Sequence, residues 1–564
     1  MDFNVFSQYL QKLEGIASRN EMTVVLAQMF GESSSEDAKL LSYLCQGKLG
    51  PAYKSPDFGI ADKSMVKALG PEAEKLFKQK GDLGLVIESI KSKNINSNNQ
   101  INSKSLNIKQ VYDKLWEIAM ISGIGSQDKK QQLIINLLAK VDPISAKYIV
   151  KMILGKLRTG FSDMTILDSL SWILTGDKKL KPQIEEMYNV RADLGQIAMQ
   201  IKQDIQPKQL DPEIGTPVLM AKCERAETAQ DIWERLGRCA VEYKLDGLRI
   251  QAHIGETVTL FSRGLENVTS MYPDICEGLA KQIKHDCIVE GEMIALSKNG
   301  RFLPFQETVQ RKRKYDILEM LETVPLKIFL FDVLMLDGAN VMNEANEKRR
   351  KLLESLVTPG DIIKLMPRIT ANSEKAIEEF FQQSLKAGTE GIIAKKLDGG
   401  YAAGARDFNW IKYKKSYQKS ALADTLDVVV MGYDEGQGKR SKFGIGDFLA
   451  GVYDPESDKY FTVAKVGTGL TDDEWQRMAS NLKSQISNLK PTNYEASKSM
   501  KCDHWVEPKI MVELLADEIT KSPMHTSGYA LRFPRLVSFR EKKPTDATSM
   551  KELEKMVKLQ KDRR

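Results

Sequence analysis

The stretch "VEYKLDGLRI", residues 241–250, decides how the chain is to be interpreted. Its Val, Tyr, Leu and Ile residues are typical of β-strands, and they flank Lys244, Asp246 and Gly247. Asp-Gly is a favoured turn dipeptide, so one interpretation is a β-hairpin with Lys244 as a solvated side chain beside its turn. Gly247 would then be free to take a positive φ. Taken alone, the pattern favours this hairpin, and the rest of the chain has to decide.

The composition limits the class of protein. A chain of 564 residues with 42% hydrophobic and 28% charged residues is long enough for several globular domains. A net charge of +6 permits a polyanionic partner without requiring one. Six scattered cysteines without a C-x-x-C pair, and only four histidines, argue against a disulfide framework and a Cys- or His-built metal site. The start lacks the blocks of a signal peptide, and the apolar runs are too short to cross a bilayer. We therefore expect a cytoplasmic protein without a membrane partner.

The first part of the chain, residues 1–205, has the spacing of amphipathic helices. Apolar residues recur at helical intervals in "VYDKLWEIAMI" and "QQLIINLLAKV", and Asp142-Pro143 predicts the start of a further helix. Residues 91–107 are polar and rich in Asn and Ser, which predicts a flexible surface loop.

Strand-like segments follow a Pro- and Gly-containing linker at 206–218. Residues 206–417 alternate strands with short helices, which predicts a mixed α/β domain. Residues 418–564 contain strands separated by Gly- and Asp-containing turns, typical of a small β-barrel or sandwich, and end in a basic amphipathic helix. The predicted fold is therefore multidomain α+β, with domains at 1–205, 206–417 and 418–564.

Charged pairs further along the chain suggest a chemical role for Lys244. A lysine whose pKa is lowered by burial or nearby cations is a good nucleophile toward phosphorus as well as carbonyl carbon. Attack on phosphorus needs cations around the phosphate and carboxylates for Mg²⁺. In "IVEGEMIA", Glu290 and Glu292 share one strand face, and "GTEGIIAKK" supplies a further glutamate. Lys412 and Lys414 in "NWIKYKK" also share a face and could clamp a phosphate, although each pair read alone is better explained as a solvated strand face.

The order of these segments identifies a family resemblance. The motifs "EYKLDGLR", "FSRGLENVT", "IVEGEMIA", "FLFDVLMLDG", "TEGIIAKK", "WIKYK" and "LRFPR" resemble, in this order, the collinear motifs of the nucleotidyltransferases that include ATP-dependent DNA ligases. The N-terminal "SGIGSQDKKQQLIINLL" and "YIVKMILGKLRTGFSD" resemble the helical DNA-binding domain of archaeal and eukaryotic replicative-type ligases. The resemblance covers nearly the whole chain and has high joint specificity.

The resemblance implies a three-step reaction. Lys244 would attack the α-phosphate of ATP, expel pyrophosphate and hold AMP through a phosphoramide bond. The AMP would pass to the 5′-phosphate of a nick, and the 3′-hydroxyl would then attack that phosphate and release AMP. The implied cofactors are ATP and Mg²⁺, with Mn²⁺ as an alternative metal. The C-terminal domain would be an OB-fold that closes over ATP.

The resemblance also implies roles for individual residues. Lys244 would be the nucleophile, with Asp246 assisting near the 3′-hydroxyl and Arg249 binding ribose or phosphates. Glu390 would help to hold the metal. The further nucleotide contacts that it implies are Glu242 at adenine, Phe331 stacked on the adenine ring, Arg263 and Arg406 at ribose or phosphates, Lys412 and Lys414 at the α-phosphate, and Glu292 at ribose or the metal. For Phe331, a place in the hydrophobic core is the alternative.

Nicked duplex DNA is the implied partner. "GIGSQDKK" and "GKLRTG" place glycines at apparent helix boundaries, where backbone N–H groups bind phosphates, and Lys129, Lys156 and Arg158 would add charge. Without the resemblance, these segments would be read as simple turns. The basic loop at 436–442 offers a further DNA surface, and we expect strong salt dependence of binding. The resemblance further implies a monomer associated with the nucleoid, and it leaves recruitment by a sliding clamp open.

The last motif departs from the family pattern. Related ligases have an Arg-x-Arg-x-Asp-Lys run, whereas "RLVSFREKK" has Ser538 for the first arginine and is one residue shorter, without the aspartate. Arg540 and Lys542 remain as the groups that would orient pyrophosphate. We therefore predict slower self-adenylation.

Three other functions remain as alternatives at this point. An RNA ligase or RNA-capping guanylyltransferase shares the lysine motifs but not the helical N-terminal region. An NAD⁺-dependent DNA ligase would carry a four-cysteine zinc module. A nick-binding scaffold with an impaired active site is the non-enzymatic alternative, and retention of the lysines and carboxylates argues against it.

Overall fold

The structure is a computed structural model that forms two compact units, residues 1–413 and 414–564. It describes residues 1–16, 18–96, 105–157, 161–204, 206–297, 300–303, 305–311, 321, 323–414, 425–436, 440, 443–483, 485–487, 489–540 and 542–562. The expected domain boundaries at 205 and 417, Arg158, and most of the basic loop at 436–442 lie outside these residues.

Helices build the first part of the chain. They are α1 Phe3–Glu14, α2 Arg19–Gly31, α3 Ser35–Leu44, α4 Asp62–Leu69, α5 Pro71–Lys80, α6 Leu83–Asn96, α7 Ile108–Met120, α8 Ser126–Ala139, α9 Pro143–Ile153, α10 Asp163–Thr175, α11 Lys181–Val190 and α12 Leu194–Asp204. Their apolar faces form one core.

Local sequence signals explain where several of these helices begin. Asp142 caps α9 by accepting a hydrogen bond from the Ser145 backbone N–H, with Pro143 in the first turn, as the Asp-Pro pair predicts. Asn107 caps α7 in the same way. The loop predicted at 91–107 is wrong for residues 91–96, because α6 extends through them to Asn96; residues 97–104 lie outside the described part of the chain.

Strands and helices alternate in the central region. They are β1 Lys222–Arg225, α13 Ala229–Leu236, β2 Cys239–Lys244, β3 Leu248–Ile254, β4 Val258–Ser262, α14 Pro273–Gln282, β5 Cys287–Ala295, α15 Phe305–Thr308, β6 Leu326–Leu336, β7 Ala339–Asn340, α16 Asn346–Leu356, β8 Ile363–Leu365, β9 Arg368–Ala371, α17 Glu374–Lys386, β10 Gly391–Lys396 and β11 Arg406–Lys414. They form a five-stranded sheet, β1-β11-β10-β2-β9, and a six-stranded sheet, β4-β3-β5-β6-β7 with β8 beside β6.

The stretch at 241–250 crosses from one sheet to the other. β2 pairs with β10 and β9, whereas β3 pairs with β4 and β5, so the hairpin interpretation is wrong. The expected positive φ at Gly247 is also wrong, since this glycine is not among those with left-handed backbone. Glycine is needed there because a Cβ would collide with the carbonyl oxygen of Met293 on β5. Lys244 is thus the last residue of β2 in the five-stranded sheet, and the chain then crosses to β3 in the six-stranded sheet.

The linker segment at 206–218 is bound to the central sheets. The Gly215 N–H donates to His253 Nδ1 at 3.1 Å, and Val218 exchanges two hydrogen bonds with the Gln251 carboxamide. Burial lowers the pKa of His253 to about 3, so this imidazole is neutral and accepts the bond.

The second unit is rich in strands, as predicted. Its elements are β12 Leu426–Asp434, β13 Asp447–Asp454, β14 Lys459–Val466, α18 Asp472–Lys483, β15 Ile486–Ser487, β16 Tyr494–Glu495, β17 His504–Val506, β18 Met511–Leu515, β19 Glu518–Lys521, β20 Tyr529–Arg532, β21 Arg535–Arg540 and α19 Met550–Asp562. Among the described residues, the strand pairings of its main sheet do not close into a barrel. The predicted C-terminal helix is present, and it buries Leu553 and Val557 in the core of this unit.

Candidate active site

Lys244 and Glu390 meet where β2 and β10 pair. The two strands are antiparallel, with Lys244 opposite Gly391, and the Glu390 N–H donates to the Lys244 carbonyl at 3.0 Å. This register brings the side chains together, and Lys244 Nζ lies 2.5 Å from Glu390 Oε2. Lys244 is 22% exposed and Glu390 18% exposed, so a substrate can reach the amine at a largely buried point.

Carboxylates control the charge of the amine. Burial alone would lower the pKa of Lys244, but Glu390, then Glu292, and finally Asp246 together raise it above its ordinary value. The free site therefore holds an ammonium group and not the activated amine. Burial raises the pKa of Glu292 to about 7, with the Lys244 charge opposing this rise and the Glu390 charge adding to it.

Arg249 is fixed inside the central domain. Its guanidinium lies 2.7 Å from Glu290 Oε2 and donates to the Ala221 carbonyl at 2.8 Å. The Tyr401 hydroxyl donates to the same Glu290 oxygen at 2.9 Å. The guanidinium carbon also lies 5.6 Å from the centre of the Trp410 ring. Arg249 thus binds a buried carboxylate beside the site, and it lies on the strand that begins directly after the crossing from Lys244.

A second buried ion network lies behind the predicted adenine contacts. Glu242 is 2% exposed, and its carboxylate lies 2.8 Å from Lys395 Nζ and 3.4 Å from Arg368. Lys395 Nζ donates to the Phe331 carbonyl at 3.2 Å and lies 4.2 Å from the centre of the Trp410 ring. Phe331 is almost completely buried. In the free protein, Glu242 therefore pairs with cations, and Phe331 belongs to the core between the two sheets.

Strand β6 is anchored by a third pair. Arg349 Nε donates to Asp332 Oδ1 at 2.8 Å and Nη2 to Oδ2 at 3.2 Å, with both side chains almost fully buried. The same guanidinium donates to the carbonyls of Met342, Glu344 and Gly399. Burial alone would raise the pKa of Asp332, but the charges of Arg349 and Lys395 keep it below its ordinary value. This fork fixes the strand that carries Phe331.

The two predicted clamp lysines lie on one face of β11. Ile411 and Tyr413 are buried, and the Tyr413 ring stacks on Phe381 of α17 at 4.0 Å, whereas Lys412 and Lys414 are only partly buried. By strand alternation, the lysines point away from α17.

The other predicted nucleotide contacts are more exposed. Arg406 is exposed at the start of β11, and Arg263 is exposed directly after β4. No contact of either arginine with Lys244 is among the interactions of the described residues.

The predicted DNA-contact residues lie on neighbouring segments of the helical region. Lys129 is exposed in the first turn of α8. In the same turn, Lys130 Nζ donates to the Phe58 carbonyl at 2.5 Å. Lys156 Nζ lies 2.6 Å from Asp62, at the start of α4. The segment 58–62 therefore connects the positions of Lys129 and Lys156.

Two carboxylates at the nucleophile fit a divalent metal. The described residues contain no group of three or more His, Cys, Asp or Glu side chains that could hold an ion. Mg²⁺ is ordinarily bound by one or two carboxylates together with substrate phosphates and water. Glu292 and Glu390, whose charges act on each other beside Lys244, match that donor set. The raised pKa of Glu292 shows that one negative charge there is costly until a cation neutralises it.

The sequence did not predict the residues that bind the buried carboxylates next to the site. Lys395, Tyr401, Arg368 and Arg349 were given no role, although each binds a carboxylate of a motif strand. A signal existed for Lys395 alone, because strand alternation places it on the opposite face from the exposed Lys396. The other three lie outside the quoted motifs, and only the fold brings them to the site.

The sheets, the buried lysine and its carboxylates define the chain as a nucleotidyltransferase. Three family models match it: "DNA ligase N terminus" over residues 2–171, "ATP dependent DNA ligase domain" over 219–414, and "ATP dependent DNA ligase C terminal region" over 441–543. The chain belongs to the ATP-dependent DNA ligase family. It is therefore a ligase that uses ATP, in a family whose members generally also use a divalent metal. It has the three-domain architecture of that family. The predicted family and fold class are thus confirmed.

Relatives match over the full length. A "Probable DNA ligase" of Dictyoglomus turgidum is 42% identical, covering 100% of this chain and 98% of the relative. A "DNA ligase" of Saccharolobus solfataricus is 37% identical, covering 99% and 97%. The solved structure "Pmar-Lig_PreS3" shares the fold, with a TM-score of 0.56 and 17% identity over 95% of this chain and 99% of that one. Among the described residues, no helix is both long and apolar enough to span a membrane.

Proposed function

We propose that this ligase seals nicks in duplex DNA through an AMP adduct on Lys244. The observation that supports this most directly is the Lys244–Glu390 pair at 2.5 Å, held in register by the pairing of β2 and β10. The amine lies at the end of a strand, largely buried and against a carboxylate. That geometry suits covalent catalysis with charge neutralisation.

In the first step, the Lys244 ammonium group releases a proton to water, and the neutral Nζ attacks the α-phosphorus of ATP and gives up a second proton to water as the N–P bond forms. The bond from that phosphorus to the bridging oxygen breaks, and pyrophosphate leaves with the electron pair. Lys412 and Lys414 neutralise the α-phosphate, and Arg263 and Arg406 contribute charge at ribose or phosphates. Arg540 and Lys542 of the last motif orient the leaving pyrophosphate.

Glu292 and Glu390 would hold Mg²⁺ or Mn²⁺, which when bound supplies positive charge at the phosphate and at the two carboxylates. With the charge of these two carboxylates balanced by a cation, they would no longer raise the pKa of Lys244, and burial would favour the neutral amine. The adenine is bound by Glu242 and Phe331, and Arg249 orients the ribose side from its pairing with Glu290.

In the later steps, AMP passes from Lys244 to the 5′-phosphate of the nick. The 3′-hydroxyl then attacks that phosphate, with Asp246 near the reacting oxygen. Lys129, Lys156 and Arg158 bind the DNA backbone, and Lys156 exchanges Asp62 for a phosphate. We further infer a cytoplasmic, nucleoid-associated monomer with domains at 1–205, 206–417 and 418–564, for which a sliding clamp is a candidate partner.

The test is nick sealing with one nucleotide at a time. The protein is incubated with Mg²⁺, a nicked duplex and ATP, GTP or NAD⁺, and the sealed strand is measured together with the intact protein mass. Sealing and an AMP adduct with ATP alone are expected. A GMP adduct without sealing would instead support the capping-enzyme alternative, and DNA binding without any adduct would support the scaffold.

Replacing Glu390 by Gln is expected to make Lys244 react at lower pH in the free protein. The substitution removes the first of the charges that raise the pKa of Lys244, and the opposing influence of burial remains. Labelling by an amine-reactive reagent without nucleotide, followed by peptide mass spectrometry, measures this against the exposed Lys396. Self-adenylation should nevertheless fall by about 10²-fold, because a metal ligand is lost. An unchanged labelling profile would show that Glu390 does not control the amine.

A further inference from the structure

The last motif is paired in register with two acidic strands of the second unit. β21 pairs with β18, placing Ser538 opposite Glu513, and β18 pairs with β12, placing Glu513 opposite Asp427. Residues that are opposite in a sheet project from the same face. The side chains of Ser538, Glu513 and Asp427 therefore form a row across three strands. In the sequence, Ser538 stands two residues before Arg540 and four before Lys542.

Both basic residues of the motif are bound by this row. Arg540 Nε donates to Asp427 Oδ1 at 3.2 Å, and its Nη2 lies 2.7 Å from Glu513 Oε1. Lys542 Nζ donates to the other oxygen of Asp427 at 2.6 Å. Ser538 Oγ donates to Glu513 Oε2 at 2.8 Å. Asp427 thus joins the two cations, and Glu513 joins Arg540 to the serine.

The acidic partners are anchored, whereas the cations remain accessible. Asp427 and Glu513 are 19% and 11% exposed, and Arg540 and Lys542 are 38% and 44% exposed. A hydrogen bond from the Thr425 hydroxyl is the largest influence that lowers the pKa of Glu513, which keeps this carboxylate ionised. In the described part of the unit, Arg540 Nη1 donates no hydrogen bond. Arg540 and Lys542 are therefore each bound by a carboxylate and remain accessible enough to donate hydrogen bonds to a phosphate.

We propose that Asp427 and Glu513 are positioning residues that hold Arg540 and Lys542 ready to orient pyrophosphate during self-adenylation. The inference rests on the function proposed above for those two cations. Long basic side chains lose rotamer freedom when they bind a phosphate. Asp427 and Glu513 already restrict the rotamers of Arg540 and Lys542 before the substrate arrives. Binding of pyrophosphate therefore loses less conformational entropy.

The network also accounts for the two departures from the family pattern. Ser538 binds Glu513 without adding a third cation, so the cluster has two acidic and two basic groups. The aspartate absent from the motif has a counterpart in Asp427, which reaches the same cations from β12. The slower self-adenylation predicted from sequence therefore has a structural compensation, and loss of Asp427 should expose the deficit.

The experiment compares two reactions of the full chain. One is single-turnover self-adenylation over a range of ATP concentrations with Mg²⁺. The other is sealing of a nick that already carries 5′-AMP, in which no pyrophosphate is formed. The variants are Asp427→Asn, Asp427→Glu, Glu513→Gln and Arg540→Ala. Glu495→Gln is the matched control, because Glu495 binds Lys459 at 2.7 Å elsewhere in the same unit.

Asp427→Asn and Glu513→Gln are expected to lower kcat/KM of self-adenylation about tenfold each, as loss of one charge-assisted contact does. Asp427→Glu should retain most of the rate, and Arg540→Ala should lose more than either. Sealing of the adenylated nick should stay within about twofold for the Asp427 and Glu513 variants, since no pyrophosphate is formed in that reaction.

Each outcome decides between the two hypotheses. Unchanged or faster adenylation by Asp427→Asn, with Arg540→Ala impaired, would overturn the positioning role and leave the proposed function intact. Unchanged adenylation by Arg540→Ala would overturn the role of the motif itself and the inference with it. If Asp427→Asn also loses sealing of the adenylated nick, that loss indicates a disturbed fold, and Glu513→Gln then tests the positioning role in its place. The carboxamide of that variant can keep the bonds to Ser538 and Thr425 while it removes the charge.

Discussion

Lys244→Ala is expected to abolish the AMP adduct and to lower ATP-dependent sealing by at least about 10⁴-fold. The charges of Glu390 and Glu292 both act on the Lys244 amine, and alanine removes the nitrogen that would bond to phosphorus. Intact-protein mass after incubation with ATP and Mg²⁺ measures the adduct directly, and a nicked duplex measures sealing.

The variant should still seal a nick that already carries 5′-AMP, because attack by the 3′-hydroxyl does not use the amine. Lys396→Ala is the matched control: Lys396 lies on the adjacent strand β10, is exposed and pairs with Asp398 at 3.5 Å. An adduct of normal yield on Lys244→Ala would place the nucleophile elsewhere and refute the site assignment.

Arg349→Ala is expected to destabilise the first unit by about 3–5 kcal/mol. The substitution leaves Asp332 buried without its fork, and Lys395 at 3.8 Å compensates only in part. Three backbone carbonyls also lose their donor. Urea unfolding followed by tryptophan fluorescence measures the change, because Trp410 lies within this core.

Two further variants test the cause of this destabilisation. Lys348→Ala, on the same helix, removes an exposed pair with Glu344 and should change stability by less than about 1 kcal/mol. Replacing both partners, Arg349→Met with Asp332→Leu, should cost less than Arg349→Ala alone, because no buried charge is left unpaired. A loss below about 1 kcal/mol for Arg349→Ala would show that the fork is dispensable.

The sequence could predict the strands that carry the motifs because their signals are local. β6 begins and ends at the leucines that bound its largely apolar run, and Asp142-Pro143 marks the start of α9. The family was predictable because the motifs keep their order along the chain. Pairing between distant strands was not predictable, so the crossing at Lys244 could be mistaken for a hairpin.

Charges at the site were harder to predict than residue types. The sequence did not predict the charge of Lys244, whose pKa the carboxylates raise in the free protein. Arg249 and Glu242 stay predicted nucleotide contacts, but the sequence did not predict the buried partners from distant segments that both bind in the free protein. Electrostatics depends on three-dimensional neighbours, such as Tyr401 for Glu290, and no spacing rule along the chain supplies them.

In the proposed reaction, the crossing at residues 244–248 keeps Lys244 in one place while it reacts first with ATP and then with the DNA end. Its carbonyl is bonded to β10, and the next residues are built into the opposite sheet, so the backbone under the amine is tied on both sides. An amine anchored in this way cannot carry its adenylate to a distant nick. The ATP phosphate and the DNA end must therefore each move to Lys244 in turn, while the nucleophile stays in place.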